Sequence, residues 1–186
     1  MTITYKVGNN LYLNITNRCT NNCSFCVRNQ SGAYDGSDSL WLEREPSREE
    51  ILAAVLTADP SKYEEIVFCG YGEPMMRLDD LIYVADEIKK RYNNIIRLNT
   101  NGQSDLVFGK STAPLLKGVI DTVSISLNAS DAKDYDEICH SQYGTEAFDA
   151  LLNFAADCKK QGIYVVLSVV DILEEEKLSQ CKKIAQ

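Results

Sequence analysis

"LYLNITNRCTNNCSFCVRNQ", residues 11–30, places three of the chain's seven cysteines within eight positions, directly after an apolar run. The run has the composition of a buried strand, so Cys19, Cys23 and Cys26 fall in the loop that follows it. Their spacing is C-x3-C-x2-C, with Phe25 immediately before the last thiol. A structural zinc site needs four ligands, usually as two short pairs, and only half of such a pattern stands here. Three clustered thiolates suit an iron–sulfur cluster that keeps one iron open.

The rest of the chain repeats a strand-then-helix order. Apolar β-rich runs at 11–16, 65–70, 95–100, 122–127 and 164–170 alternate with segments of helical period. Ile51, Leu52, Val55 and Leu56 make one helix face, Leu81, Ile82, Ala85 and Ile88 another, and Phe148, Leu151, Leu152, Ala155 and Cys158 a third. Ser47 with Glu50 predicts a capping box for the first helix, "TAPLLKG" a short helical turn, and "EEEKLSQCKKIAQ" a last helix with acidic residues at its positive end. This order predicts the α/β class: a parallel sheet of about five β/α units in a single domain spanning 1–186. Five units fall short of a closed eight-fold barrel of about 250 residues, so an open partial barrel is expected. The last run is followed by a helix and no further strand, so the chain reads either as C-terminally short or as having one sheet edge covered by other means.

Composition narrows the function. A net charge of −8 and a pI near 4.7 argue against a general grip on nucleic acid. The densest basic strip, Lys89 to Arg91, sits where a helix C-terminus favours cations. No apolar run reaches membrane-spanning length and the N-terminus lacks a signal-peptide pattern, which points to the cytoplasm. An odd number of cysteines there reads as free or metal-bound thiols.

In a parallel α/β sheet the working loops lie at the carboxyl ends of strands. The second run ends in "CGYGEP" (69–74), the third in "RLNTNG" (97–102) and the fourth in "SISLNA" (124–129). Taken singly, these are turns whose glycines and Asx or Ser side chains satisfy backbone groups. Together with the cysteine loop they resemble the radical S-adenosylmethionine (SAM) superfamily. That resemblance implies a [4Fe-4S] cluster held by Cys19, Cys23 and Cys26, whose open iron takes SAM. It implies reductive cleavage of SAM to a 5′-deoxyadenosyl radical that abstracts hydrogen from a substrate. Gly72 and Glu73 match its G-G-E motif, with Tyr71 in place of the first glycine. Thr100, Asn101, Ser126 and Asn128 match segments that reach the ribose and the methionine carboxylate of SAM. Within the superfamily, "LWLEREPS" and the first two motifs look most like the small TatD-associated radical SAM proteins, named for linkage with a TatD-type hydrolase. A flavodoxin or ferredoxin is the reductant such a protein implies.

Several residues stay open. Cys69 and Cys139, the latter expected in a loop after the fourth strand, are candidates for a hydrogen-atom donor or for ligands of a second cluster, or are inert buried thiols. Cys158 and Cys181 fall on apolar helix faces. Trp41, Glu43, Arg44 and Glu45 belong to the long non-periodic segment 29–46, either as a substrate clamp or as a loop anchor with a salt bridge. Arg77 suits a bidentate carboxylate partner or a surface position opening a helix. His140 reads as a loop residue. The leading expectation is a radical SAM enzyme of unknown substrate, with a glycyl-radical activase and a deazapurine-type synthase as alternatives. From another class comes a non-catalytic iron–sulfur or zinc module, which would need a fourth cysteine beside the loop. The sequence shows none nearby.

Overall fold

The structure, a computed structural model, describes residues 1–29, 39–171 and 173–186. Part of the long 29–46 segment therefore lies outside the described residues.

A six-stranded sheet in the order β1-β2-β3-β4-β5-β6 organises the chain. The strands are β1 Thr4–Val7, β2 Asn10–Leu13, β3 Glu65–Phe68, β4 Ile95–Thr100, β5 Thr122–Ser126 and β6 Tyr164–Ser168. β2 to β6 pair in parallel and correspond to the five expected runs. The sheet nevertheless has a sixth strand of another kind. β1 is a strand that the sequence reading passed over, and it pairs antiparallel with β2. A two-residue Gly8-Asn9 turn makes that possible, with Gly8 at φ +58 in the first turn position, where a side chain would be strained. The hairpin covers the β2 edge, whereas among the described residues no strand pairs with the outer edge of β6, where Tyr164 is 69% exposed.

Among the described residues, seven α-helices connect and cover the strands: α1 Arg48–Ala58, α2 Leu78–Lys89, α3 Ser104–Phe108, α4 Ala113–Leu116, α5 Ala132–Cys139, α6 Glu146–Lys160 and α7 Glu175–Ile184. The Ser47–Glu50 capping box forms as predicted. The Lys89–Arg91 strip is spent on ion pairs with Asp121, Asp86 and Glu87. Strand alternation divides the sheet into two faces. One face carries Leu11, Leu13, Ile66, Phe68, Ile96, Leu98, Val123 and Ile125, all buried in the core with Ile51, Leu81, Ile88 and Leu151 from the helices. The other carries Tyr12, Arg97, Asn99, Ser124 and Ser126, which are half-buried and mostly polar. That polar face and the carboxyl ends of β2 to β5 frame the site.

Candidate active site

The cysteine loop leaves β2 and is pinned down on two sides. From α5, the Asn22 N–H donates to the Cys139 carbonyl (3.1 Å) and the Ser24 N–H to the Ile138 carbonyl (3.0 Å). From below, Gln103 and Tyr135, both fully buried, hold it through a polar network. Thr20 Oγ1 donates to Gln103 Oε1 (2.8 Å), Gln103 Nε2 to Asn21 Oδ1 (2.8 Å), and Asn21 Nδ2 to the Tyr135 hydroxyl (3.1 Å). Such a buried network costs free energy unless every member is satisfied, which makes it specific. Sequence reasoning missed Gln103, Tyr135 and Asn21. The only signal was that Gln103 follows "TNG" directly.

Glu73 links the next two turns. Its backbone N–H donates to the Arg18 carbonyl at 2.7 Å, and its carboxylate accepts from Met75 N (3.0 Å), Thr100 Oγ1 (2.7 Å) and Asn101 N (2.7 Å). Burial pushes the Glu73 carboxyl above the usual carboxylate range, against those three bonds. Asn101 then reaches the cysteine loop, with Nδ2 2.7 Å from Thr20 Oγ1 and 3.9 Å from Cys19 Sγ. Gly72 has no room for a side chain. A Cβ there would stand 2.3 Å from the Thr16 carbonyl oxygen and 2.7 Å from that of Arg18. The glycine in "GYGEP" is thus demanded by the cysteine loop's own backbone.

Glu73, Thr100 and Asn101 are therefore hydrogen-bonded together and to Cys19 and Thr20, and Gly72 packs against the backbone that leads into Cys19, whereas Cys26 is tied to Cys23 through its backbone N–H. Ser126 ends β5 and, among the described residues, has no hydrogen bond to this network. Asn128 sits at φ +55 and its Nδ2 lies 3.8 Å from Cys139 Sγ, so it reaches the site through that thiol. Here the structure corrects the sequence reading twice. Cys139 closes α5 instead of lying in a loop, because Asp131 caps a helix that the sequence reading left unassigned. Its thiol also stands close enough to that of Cys23 for the two to shift each other's titration, so a fourth cysteine does stand beside the loop. His140, next to it, is the left-handed cap of α5 at φ +46.

The thiols differ electrostatically. Burial, then the nearby Glu73, pushes Cys19 up to about 12, while the Asn21 N–H at 3.4 Å opposes this. The neighbouring Cys139 thiol, followed by burial, pushes Cys23 up, and Cys23 in turn pulls Cys139 down.

The remaining candidates resolve into structure. Arg77, only 10% exposed in its side chain, braces Asp80 (2.5 Å) and the carbonyls of Ile15 (3.1 Å) and Pro46 (2.7 Å), so it is neither a surface residue nor free for a substrate. Glu45 joins Thr16 (2.5 Å) and Arg18 (2.7 Å), Arg44 joins Glu50 (2.5 Å), and Trp41 meets the Tyr71 ring edge-on at 5.4 Å. That is the loop-anchor alternative. Cys158 and Cys181 are buried in the core. Cys69 is half-buried on the polar face, where burial pushes its thiol up.

A parallel α/β sheet with thiols, a buried carboxylate and an amide gathered at its carboxyl edge defines a class of protein with its working site in the strand-end loops. The chain belongs to the radical SAM superfamily, whose model matches residues 13–186. It is similar to the GTP 3',8-cyclase of Corynebacterium glutamicum, with 30% identity over 138 residues, 70% of this chain and 33% of the relative. The chain thus spans about a third of that relative's length. Among solved structures it resembles "Native anSMEcpe with bound AdoMet" at TM-score 0.57 and 18% identity, covering 84% of this chain and 42% of the other. A second, TYW1 with a lysine-pyruvate adduct bound, gives TM-score 0.48 and 16% identity over 95% and 72% of the two chains. No helix among the described residues is long and apolar enough to cross a membrane.

The superfamily implies a [4Fe-4S] cluster and SAM. The residues fit the cluster: the donors on the loop are all thiols, the soft ligands iron–sulfur centres use, and N–H groups of Asn21 and Asn101 point at Cys19 Sγ. Among the described residues no three His, Cys, Asp or Glu side chains converge on a single ion.

Proposed function

We propose that the chain is a radical SAM enzyme. When bound, the cluster with SAM would supply one-electron cleavage of the sulfonium, giving methionine and a 5′-deoxyadenosyl radical that takes hydrogen from a substrate. One observation carries this reading: Glu73, Thr100 and Asn101, from two separate strand ends, are hydrogen-bonded into one unit that touches Cys19 and Thr20. In it, Cys19, Cys23 and Cys26 would hold iron, Asn21 and Asn101 would aim N–H groups at sulfur, and Gly72 and Glu73 would keep the SAM-side turn against the loop. Ser126 and Asn128 would extend the same cradle. The sheet is read as an open partial barrel around it. The resemblance of "LWLEREPS" and the first two motifs supports placement among the TatD-associated proteins of the cytoplasm, with a flavodoxin or ferredoxin as reductant.

Anaerobic reconstitution with iron and sulfide, followed by SAM and a low-potential reductant, tests this. The electron paramagnetic resonance spectrum is expected to shift with SAM, and 5′-deoxyadenosine to accumulate. Fully loaded protein that shows neither effect would refute the reading.

The Cys23–Cys139 contact favours a second reading, a non-catalytic iron–sulfur module with four cysteine ligands. Cys139→Ser separates the two. The enzyme reading expects the cluster spectrum and its SAM response to survive, because Cys139 is not a ligand. The module reading expects no SAM response in the wild type and an altered cluster in the variant.

A further inference from the structure

Gln103, the residue between "TNG" and α3, lies fully buried beneath the cysteine loop, with Thr20, Asn21 and Asn101 buried around it. Every bonding position of its carboxamide is taken. Oε1 accepts from Thr20 Oγ1 (2.8 Å) and Ser141 Oγ (2.9 Å), and Nε2 donates to Asn21 Oδ1 (2.8 Å) and to the Tyr135 hydroxyl (3.0 Å). A carboxamide offers two acceptor and two donor sites, so this one has no position left over.

The polarity of the network follows from one backbone group. The Gln103 N–H, which can only donate, meets Asn101 Oδ1 at 3.1 Å and so fixes which end of the Asn101 carboxamide is oxygen. Asn101 Nδ2 therefore donates to Thr20 Oγ1 (2.7 Å), and Thr20 sends its own proton to Gln103 Oε1. With that oxygen assigned, Gln103 Nε2 faces Asn21 and holds the Asn21 oxygen toward itself. Two N–H groups reach Cys19 Sγ, and both hang on this relay. One belongs to Asn101 Nδ2 (3.9 Å) and the other to the Asn21 backbone (3.4 Å). Gln103 thus leads to one sulfur by two arms, through Thr20 and Asn101 and through Asn21.

We propose that Gln103 is a positioning residue for Cys19: by holding Thr20, Asn101 and Asn21 in one orientation it keeps two N–H groups on the Cys19 sulfur, and so raises the reduction potential of the bound cluster. The proposal rests on the cluster reading above and names a residue that sets the cluster's potential. Hydrogen bonds to ligand sulfur favour the more negative, reduced form, and they are one of the means by which a protein tunes an iron–sulfur centre. Burial strengthens the effect, because a low local dielectric screens little. Gln103 acts through its neighbours, so its loss should move the potential without removing a ligand.

Redox titration of the reconstituted full chain without SAM, followed by electron paramagnetic resonance, tests this. Gln103→Met keeps the side-chain length and removes all four side-chain bonds. Thr20→Val keeps the shape and removes the hydroxyl that joins Gln103 to Asn101. In both, the ratio of reduced to oxidised cluster at a fixed applied potential is expected to fall about tenfold, as for one lost hydrogen bond. That is a potential about 59 mV lower for one electron. Iron per chain should stay at the wild-type level. Thr20→Ser retains the hydroxyl and should retain the wild-type potential. Ser141→Ala removes a bond to the same Gln103 oxygen but lies on neither arm, so the potential should again be unchanged.

A cluster-loaded Gln103→Met or Thr20→Val with the wild-type potential would overturn the proposal. So would a Ser141→Ala shift as large as that of Gln103→Met, since the network would then act only as packing. Should Gln103→Met fail to fold or to hold a cluster, Thr20→Val against Thr20→Ser decides. Wild type that binds no cluster would refute this proposal together with the enzyme reading. Wild type that cleaves SAM, with a potential indifferent to these substitutions, would refute the positioning role and leave the enzyme standing.

Discussion

Glu73 Oε2 accepts the Asn101 backbone N–H at 2.7 Å, so the carboxylate of one strand-end turn closes the next. Replacing Glu73 with Gln puts an N–H2 group among three donors and strands at least one of them. Stability is expected to fall by about 2 kcal/mol and Tm by about 4–8 °C. Calorimetry checks this, and an unchanged Tm would mean the carboxylate is not the staple described.

Gly72→Ala tests the contact from the other side. The new Cβ would press on backbone oxygens of Thr16 and Arg18, which cannot rotate away as a side chain can. A cost of about 1–3 kcal/mol is expected, together with less iron retained per chain after reconstitution, because Cys19 follows Arg18 directly. Iron content equal to wild type would show that the loop absorbs the clash.

The start of α1 should depend on pH. Arg44 and the Ser47 N–H hold Glu50 down to about 2 from its ordinary 4.5. A depressed carboxyl pKa stabilises the fold above the unfolded value, and that share is lost as pH falls from 4.5 toward 2. Glu50→Gln should therefore be less stable than wild type at neutral pH, and the two should converge near pH 2. Denaturant midpoints across that range provide the comparison; a constant gap would contradict the assignment.

Iron-free protein offers a chemical readout of the Cys23–Cys139 contact. Oxidised glutathione takes two electrons and two protons from a thiol pair, and the neighbouring pair whose titrations are linked should close first. Peptide mapping by mass spectrometry is expected to find the Cys23–Cys139 disulfide ahead of any bond within 19–26. A dominant Cys19–Cys23 or Cys23–Cys26 product would show that the loop does not rest on α5 in solution.

Much of this site was legible before the fold was. The cysteine loop, the glycine turn and the "TNG" segment each sit at the end of a β-rich run, and parallel β/α order brings such ends to one edge. The unread parts depended on contacts between distant segments. β1 is only four residues long, and its hairpin signal is the single Gly8-Asn9 pair. Arg77 looked like a surface residue because the carbonyls it braces, at Ile15 and Pro46, belong to other parts of the chain. Gln103 and Tyr135 are polar residues joined into one network by a burial that composition does not reveal.

Local chemistry and periodicity were enough to determine the α/β order, the thiol loop and the turn residues, since strand alternation, helix caps and glycine turns are short-range properties. Tertiary structure alone decided that Glu73 joins Asn101 and that Cys139 stands beside Cys23. Each of those is a meeting of residues far apart in sequence, set by strand register and by where α5 ends against the loop.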